Sequence, residues 1–343
     1  MTEMPRPARD NPLATEVFAP VRAAWYVAAY ADELGAEPLA RTICGEEIVL
    51  FRRGDGRPAA LVDRCAHRKF PLSLGTIVGD TLQCGYHGAR FDGDGVCRLI
   101  PGQESIPHSL AVRAYPVREV DGIVLIWMGD PAAAGAAPLP DWRLNDAEGW
   151  TTVRGRHVFQ ANYQLVLDNL LDLTHIAFVH KMLKGPGIVE NALDFSVEDE
   201  TVTTYRMMRG VELPGIYRAM GKSGTWDRWT KQTVQAPGYV YFETGAEIAG
   251  ANTPPGPPHH VVIQGITPET ERTTHYFWSV ARSFALGDPD TSRAFFDISR
   301  DAFDEDAAVL AAQQRAVDAD RSGRPLGAFA ADGAGLAVRR IVQ

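Results

Sequence analysis

The sequence lacks the marks of several function classes. Its 343 residues include only four cysteines, Cys44, Cys65, Cys84 and Cys97. That is too few for a disulfide framework and points to a reducing, cytoplasmic setting. Asp and Glu (43) outnumber Lys and Arg (34), the formal net charge is −9, and no basic block occurs. Such a chain has no electrostatic footprint for nucleic acid. No uninterrupted apolar run is long enough to span a bilayer, so no membrane segment is expected. Residues 1–20 are polar and contain proline, without the apolar centre of a secretion signal. What remains is 45% hydrophobic and 22% charged, the composition of a soluble globular protein of two domains.

Against this background one stretch is unusual. Cys65-Ala66-His67 is followed, sixteen residues later, by Cys84-Gly85-Tyr86-His87. Each arm carries one thiol and one imidazole, so two loops can close on one metal centre. Zinc accepts Cys2His2 sets, but its usual spacing puts both cysteines in one arm and both histidines in the other. In a Rieske [2Fe–2S] centre two thiolates hold one iron and two imidazoles hold the other. One Cys and one His from each arm is the set such a centre needs. The plainer alternative is a buried Cys pair beside two unrelated histidines. Gly75, Gly79, Gly85 and Gly88 lie around the pairs. There they let backbone donors approach sulfur, or serve as ordinary turn glycines. Cys44 and Cys97 sit in strand-like runs and read as core.

Short apolar segments separated by Gly/Asp turns, such as Arg53-Gly54-Asp55-Gly56 and Asp92-Gly93-Asp94-Gly95, predict an antiparallel all-β domain over residues 22–130. Residues 1–21 read as a disordered tail. The Ala- and Pro-rich run from Pro131 to Pro140 breaks every period, so residues 131–150 read as a linker. Residues 151–343 form the second domain. Strands are expected over Val197–Met208, Tyr239–Ala246, Val261–Thr267 and Thr273–Ala281, and a helix over 298–317. The second domain is thus α+β, an antiparallel sheet with helices across one face. Residues 210–235, with Met220, Trp226 and Trp229, have poor periodicity and read as a pocket wall or a surface excursion. His259 and His260 read as loop residues after a Pro-rich run.

A second constellation lies in Asp168-Asn169-Leu170-Leu171-Asp172-Leu173-Thr174-His175-Ile176-Ala177-Phe178-Val179-His180. Polar groups in so apolar a segment need partners. A helix puts Asp168, Asp172 and His175 on one face. His180 would lie roughly 140° from His175, so both reach one metal only if the helix ends between them. Two histidines and a carboxylate with open positions form the facial triad of non-haem Fe(II) oxygenases. Two unrelated histidines are the alternative. The carboxylate must come from far along the chain. In the 298–317 helix, Phe303, Asp306, Leu310, Gln313 and Val317 share one apolar arc, while Asp304 and Glu305 point to solvent. Asp306 is therefore the chosen ligand, because a carboxylate on an apolar face needs a cation or donor.

With both sites placed, the chain resembles the oxygenase components of Rieske non-haem iron oxygenases, from Trp25 nearly to the end. It is most similar to the vanillate O-demethylase and dicamba monooxygenase group. The stretches that carry the likeness include Ala24-Trp25-Tyr26-Val27-Ala28, Asp63-Arg64-Cys65-Ala66-His67-Arg68, Gln83-Cys84-Gly85-Tyr86-His87-Gly88, Trp127-Met128-Gly129-Asp130-Pro131 and Asp168 to His175. The resemblance implies that Cys65, His67, Cys84 and His87 hold the Rieske cluster and that His175, His180 and Asp306 hold mononuclear Fe(II). It implies a helix-grip second domain, Asn169 near the iron, and a homotrimer. In that trimer Asp172 bridges His87 of one copy and His175 of the next.

It further implies a terminal oxygenase that takes electrons from a separate ferredoxin or flavin reductase, uses O2, and oxidises a small aromatic acid. O-demethylation of a methoxy group with release of formaldehyde is the leading expectation. Ring or alkyl hydroxylation and N-demethylation use the same iron. A Rieske electron carrier and a zinc-binding module are the other classes. Gln264 falls where the dicamba enzyme has a substrate-contacting His, a departure that puts a shared substrate in doubt. An acid entering a −9 protein needs local donors, for which Arg206, Arg209, Arg218 and Lys222 are candidates by chain position. Trp229 is a candidate for the aromatic wall.

Overall fold

The computed structural model describes residues 20–181, 183, 188–213, 224–250, 258–322, 324 and 326–342. Met220, Arg218 and Lys222 therefore lie outside the described residues. The chain forms two compact units, one of residues 20–146 with 267–270, the other of 147–266 with 271 onward.

The first unit holds eleven short strands, β1 (Trp25–Tyr30), β2 (Leu39–Ile43), β3 (Glu46–Arg52), β4 (Pro58–Val62), β5 (Thr76–Val78), β6 (Thr81–Gln83), β7 (Arg90–Asp92), β8 (Cys97–Leu99), β9 (Ala114–Tyr115), β10 (Val117–Val120) and β11 (Ile123–Trp127). They make three antiparallel sheets in the orders β1-β11-β10, β2-β3-β4-β9 and β5-β6-β7-β8. Strand β3 is apolar on both faces for a reason. Ile48 and Leu50 enter one core with Tyr26, Val124 and Ile126, while Val49 and Phe51 enter a second with Leu61, Leu72, Leu82 and Phe91. That second core is the floor on which Cys65 and Cys84 sit. Cys44 and Cys97 are buried, as expected of core residues. Residues 131–146 pack into this unit through two short 3-10 turns, with Trp142 fully buried.

The second unit is built on a seven-stranded antiparallel sheet in the order β12-β18-β17-β16-β15-β14-β13. Its strands are β12 (Thr151–Phe159), β13 (Asp194–Glu198), β14 (Thr201–Glu212), β15 (Thr225–Gln235), β16 (Tyr239–Ile248), β17 (His260–Pro268) and β18 (Thr274–Arg282). Helices α1 (Tyr163–Leu171), α2 (Pro289–Ala319) and α3 (Gly333–Val342) accompany it. The run Val197–Met208 is not one strand. It turns at Asp199, in the left-handed region at φ 50°, and becomes the β13–β14 hairpin. Residues 225–235, read as irregular, form a regular strand.

Helix α2 starts earlier than its apolar pattern suggested, because Asp288 caps it and Pro289 opens it. Its buried stripe is Phe295, Ala302, Asp306, Leu310 and Gln314. Gln314, not Gln313, faces inward, since its Oε1 accepts the buried main-chain N–H of Asn162 at 2.8 Å. Asn162 in turn caps α1 through the N–H of Gln164. Asp168 finds its partner in Arg339, which grips both carboxylate oxygens and ties α3 to α1.

Candidate active site

The two Cys/His arms are built alike. In the first, Cys65 N donates to Phe70 O at 2.9 Å and Lys69 N to Cys65 O at 2.9 Å; in the second, Cys84 N donates to Ala89 O at 2.8 Å and Gly88 N to Cys84 O at 3.0 Å. Each loop needs a left-handed residue at its fourth position after the Cys. Gly88 takes it freely at φ 73°, and Lys69 takes it at φ 60°. Asp63 fixes the first arm by accepting from the N–H (2.7 Å) and hydroxyl of Ser73. Gly75 and Gly85 let the loops close, since a Cβ at Gly75 would lie 2.1 Å from Gln83 O and one at Gly85 2.7 Å from Leu74 O.

Both thiols end up buried and both imidazoles exposed. The rings of His67 and His87 lie edge to face with centroids 4.8 Å apart. Burial raises the Cys65 thiol, the N–H groups of His67 and Arg68 pull it down, and the Cys84 thiol beside it pushes it up. A paired thiol set below and a paired imidazole set above is the donor arrangement that a [2Fe–2S] cluster with unlike irons uses. The backbone donors come from His67 and Arg68, whereas Gly75 and Gly85 act by admitting close packing.

The second constellation forms because α1 stops at Leu171. Asp172 caps the end, and His175 sits on a separate 3-10 turn, His175–Ala177. Asp172 and His175 therefore do not share a helix face. The carboxylate of Asp172 accepts from the N–H of Thr174 at 2.9 Å and from its hydroxyl. Its main-chain carbonyl accepts from His175 Nδ1. His180 follows the turn and is buried.

The Nε2 atoms of both histidines face Asp306, His175 Nε2 at 3.5 Å from Oδ1 and His180 Nε2 at 3.7 Å from Oδ2. One donor atom from each of the three lies within 4.8 Å of the others. Burial pushes the Asp306 carboxyl up to about 6, against the pull of His175 and of the Asn169 side-chain amide, which donates to Asp306 Oδ1 at 3.3 Å. A buried carboxylate between two imidazoles, with both Nε2 lone pairs turned inward, fits a divalent cation.

Helix phase points Glu305 toward solvent. Instead its carboxylate lies 3.3 Å from His180 Nδ1. The helix phase put it off the apolar stripe correctly, but the chain after the 3-10 turn folds back and supplies a partner there. Each histidine thus has its outer nitrogen engaged, His175 on a carbonyl and His180 on a carboxylate, which fixes ring orientation and leaves Nε2 for a metal.

The three residues line a partly open cavity of about 150 Å³. Its walls are Leu170, Leu173, Ile176 and Ile188 on one side and the inner sheet face on the other. An apolar space of that size admits a single benzene ring. Sheet periodicity decides which candidates reach it. Arg206 on β14, Arg228 and Gln232 on β15, and Gln264 on β17 face the cavity. Trp229 does not. It points to the opposite face, where its indole covers Gly245. Gln264 is buried and accepts from the hydroxyl of Tyr276. Arg209 points outward, toward Asp227. His260, read as a loop residue, opens β17 and lines the cavity.

Known proteins share both parts. Residues 24–116 match the Rieske [2Fe-2S] domain, and residues 159–343 match the vanillate O-demethylase oxygenase C-terminal domain. A putative toluene-4-sulfonate monooxygenase system iron-sulfur subunit of Comamonas testosteroni is 38% identical over 92% of this chain and 94% of its own length. A vanillate O-demethylase oxygenase subunit of a Pseudomonas species is 33% identical over 93% of each. The crystal structure of dicamba monooxygenase with non-heme iron and dicamba superposes with a TM-score of 0.82 at 32% identity, covering 96% of this chain and 97% of that one. Among the described residues no helix is long and apolar enough to cross a membrane. With the same two parts in the same order over nearly its whole length, this chain belongs to the Rieske non-haem iron monooxygenases as an oxygenase component, with a [2Fe–2S] cluster and a mononuclear iron as its cofactors.

Proposed function

We propose that this oxygenase removes the methyl group of a methoxylated aromatic acid as formaldehyde, leaving a phenol. The observation that carries the reading is the meeting of His175, His180 and Asp306 at the wall of a ring-sized, largely apolar cavity. O-demethylases of vanillate and dicamba among the relatives support it. In the reading, Cys65, His67, Cys84 and His87 hold the cluster, and His175, His180 and Asp306 hold the mononuclear iron. The cluster supplies electrons drawn from a separate ferredoxin or flavin reductase, and the iron supplies activation of O2 for insertion into a C–H bond.

The chain's own residues set the conditions. The Asp172 carbonyl and Glu305 carboxylate hold the Nδ1 protons of the two histidines, so each Nε2 stays a lone-pair donor. Asn169 orients Asp306. Leu170, Leu173, Ile176 and Ile188 exclude water and hold the ring. Oxidation of the methoxy carbon consumes O2, an electron pair and two protons, and yields water and a hemiacetal. The hemiacetal then breaks its C–O bond to give phenol and formaldehyde. In a homotrimer, which we infer with the reading, the exposed His87 of one copy donates to the Asp172 carboxylate of the next. The protein works in the cytoplasm, where thiolate ligands stay free of disulfides.

The test is turnover of the iron-loaded, reduced protein with O2 and a surrogate reductase on methoxylated, N-methylated and methyl-substituted aromatic acids. Formaldehyde matched by a phenol is the expected result. A product that gains oxygen without formaldehyde would contradict O-demethylation and make this chain a hydroxylase.

A further inference from the structure

The sheet wall of the cavity carries more polar groups than the metal site uses. Arg206, Thr230, Thr244 and His260 are successive cross-strand partners on β14, β15, β16 and β17. Arg228 lies two residues from Thr230 on the same face. Neighbours in such a row, and their diagonals, are within reach of one another's side chains. Arg206 is 3% exposed and Thr230 5%.

Among the described residues, Arg206 Nε, Thr230 Oγ1 and both ring nitrogens of His260 are buried without a hydrogen-bond partner. Buried polar atoms are ordinarily paired, so four orphans on one cavity wall mark groups whose partner arrives with a ligand. Gln232 Oε1, also unpaired, is an acceptor and stands outside the set.

The set is also cationic. Burial weighs most heavily against the charge on Arg206, with Asp172 supporting it and Arg228 opposing it. Among the described residues no carboxylate forms an ion pair with Arg206. Among the described residues its one side-chain hydrogen bond runs from Nη1 to Leu173 O at 3.5 Å. Arg228 donates Nε to Thr244 Oγ1 at 3.3 Å, which turns its guanidinium along the same row. His260 is kept neutral by burial and by Arg228, down to about 3, so it offers a ring N–H rather than a charge.

We propose that Arg206, Arg228, Thr230 and His260 form a receptor for the oxyanion of the substrate, a carboxylate or a sulfonate, and set the preference for aryl acids over neutral aryl ethers. The proposal rests on the aromatic-oxygenase reading of the cavity. It assigns the acid to the sheet wall and leaves the methoxy carbon for the side of His175, His180 and Asp306.

Calorimetric binding to the fully loaded enzyme without O2 tests it. The probes are 4-methoxybenzoate, 4-methoxybenzenesulfonate and neutral 4-methoxybenzamide. Either anion should bind at least about 10-fold tighter than the amide, as charge-assisted hydrogen bonds imply, and the tighter anion names the acid. Arg206→Gln should abolish the preference by weakening the anions and not the amide. Arg228→Gln serves if that variant does not fold. Equal binding of amide and anions to the unaltered enzyme would overturn the proposal, and so would equal weakening of all three probes by Arg206→Gln. Because binding needs no turnover, the two readings fail separately. Anion preference without formaldehyde keeps the receptor and removes O-demethylation. Formaldehyde from acid and amide alike, with no binding preference, does the reverse.

Discussion

The proposed cluster arms and the proposed iron site solve the same problem, holding imidazoles for a metal, in opposite ways. The arms are local and repeated. Two matching loops, closed by main-chain hydrogen bonds and by Gly75 and Gly85, present exposed His67 and His87 above buried thiols. The iron site is assembled from distant pieces. A helix end, a 3-10 turn and the buried stripe of α2 bring His175, His180 and Asp306 together inside a wall of apolar residues. Exposure suits the first in the proposed function, where electrons arrive from another protein. Burial suits the second, since the reacting carbon must be kept from water.

The comparison is broken most severely by a ligand change in the arms. Cys84→Ser should remove colour, labile sulfide and all turnover, yet leave the mononuclear iron bound, as metal analysis would read. Loss of that iron too would show that the two sites do not stand independently. Next in size is Asp172→Asn. Turnover should fall about 10- to 100-fold, because in the proposed trimer the carboxylate orients His87 of the neighbouring copy, while the main-chain carbonyl that holds His175 is untouched. The cluster should still reduce at full rate and the iron content should hold, which rapid-mixing absorbance and metal analysis separate.

A smaller effect sharpens the role of the outer shell. Glu305→Gln keeps the size of the side chain but weakens its hold on the His180 N–H, so iron affinity should drop about 10-fold by equilibrium dialysis while cluster content is unchanged. The smallest effect concerns His260. Its folded value lies near 3, below the ordinary value of about 6.5. Its neutral burial therefore adds stability above about pH 6.5 that is lost as pH falls toward 3. His260→Phe should flatten that part of the urea-midpoint curve between pH 6.5 and 4, with the curve above pH 7 keeping its slope.

What could be read in the sequence follows the same division. The cluster arms are legible because all four donors lie between Cys65 and His87, and their spacing alone is informative. His175 and His180 are singled out by the family pattern, and the inward placement of Asp306 beside them is legible through helix phase. Glu305 was missed because phase along α2 says nothing of what the chain after Phe178 lays against it. The role of the Asp172 carbonyl was missed because a cap is set by where α1 stops, and no helix-breaking residue marks that point. Trp229 was misplaced and His260 overlooked for one reason. Which face a strand residue takes depends on register, and register becomes clear only when β14 to β17 are paired.

Iron and labile-sulfide analysis of His175→Ala, with turnover assayed on the same sample, tests the division of labour most directly. The variant is expected to keep the cluster's irons and sulfides, to reduce normally, to lose the mononuclear iron, and to form no product. Product formation by a variant without the mononuclear iron would contradict the assignment of chemistry to His175, His180 and Asp306.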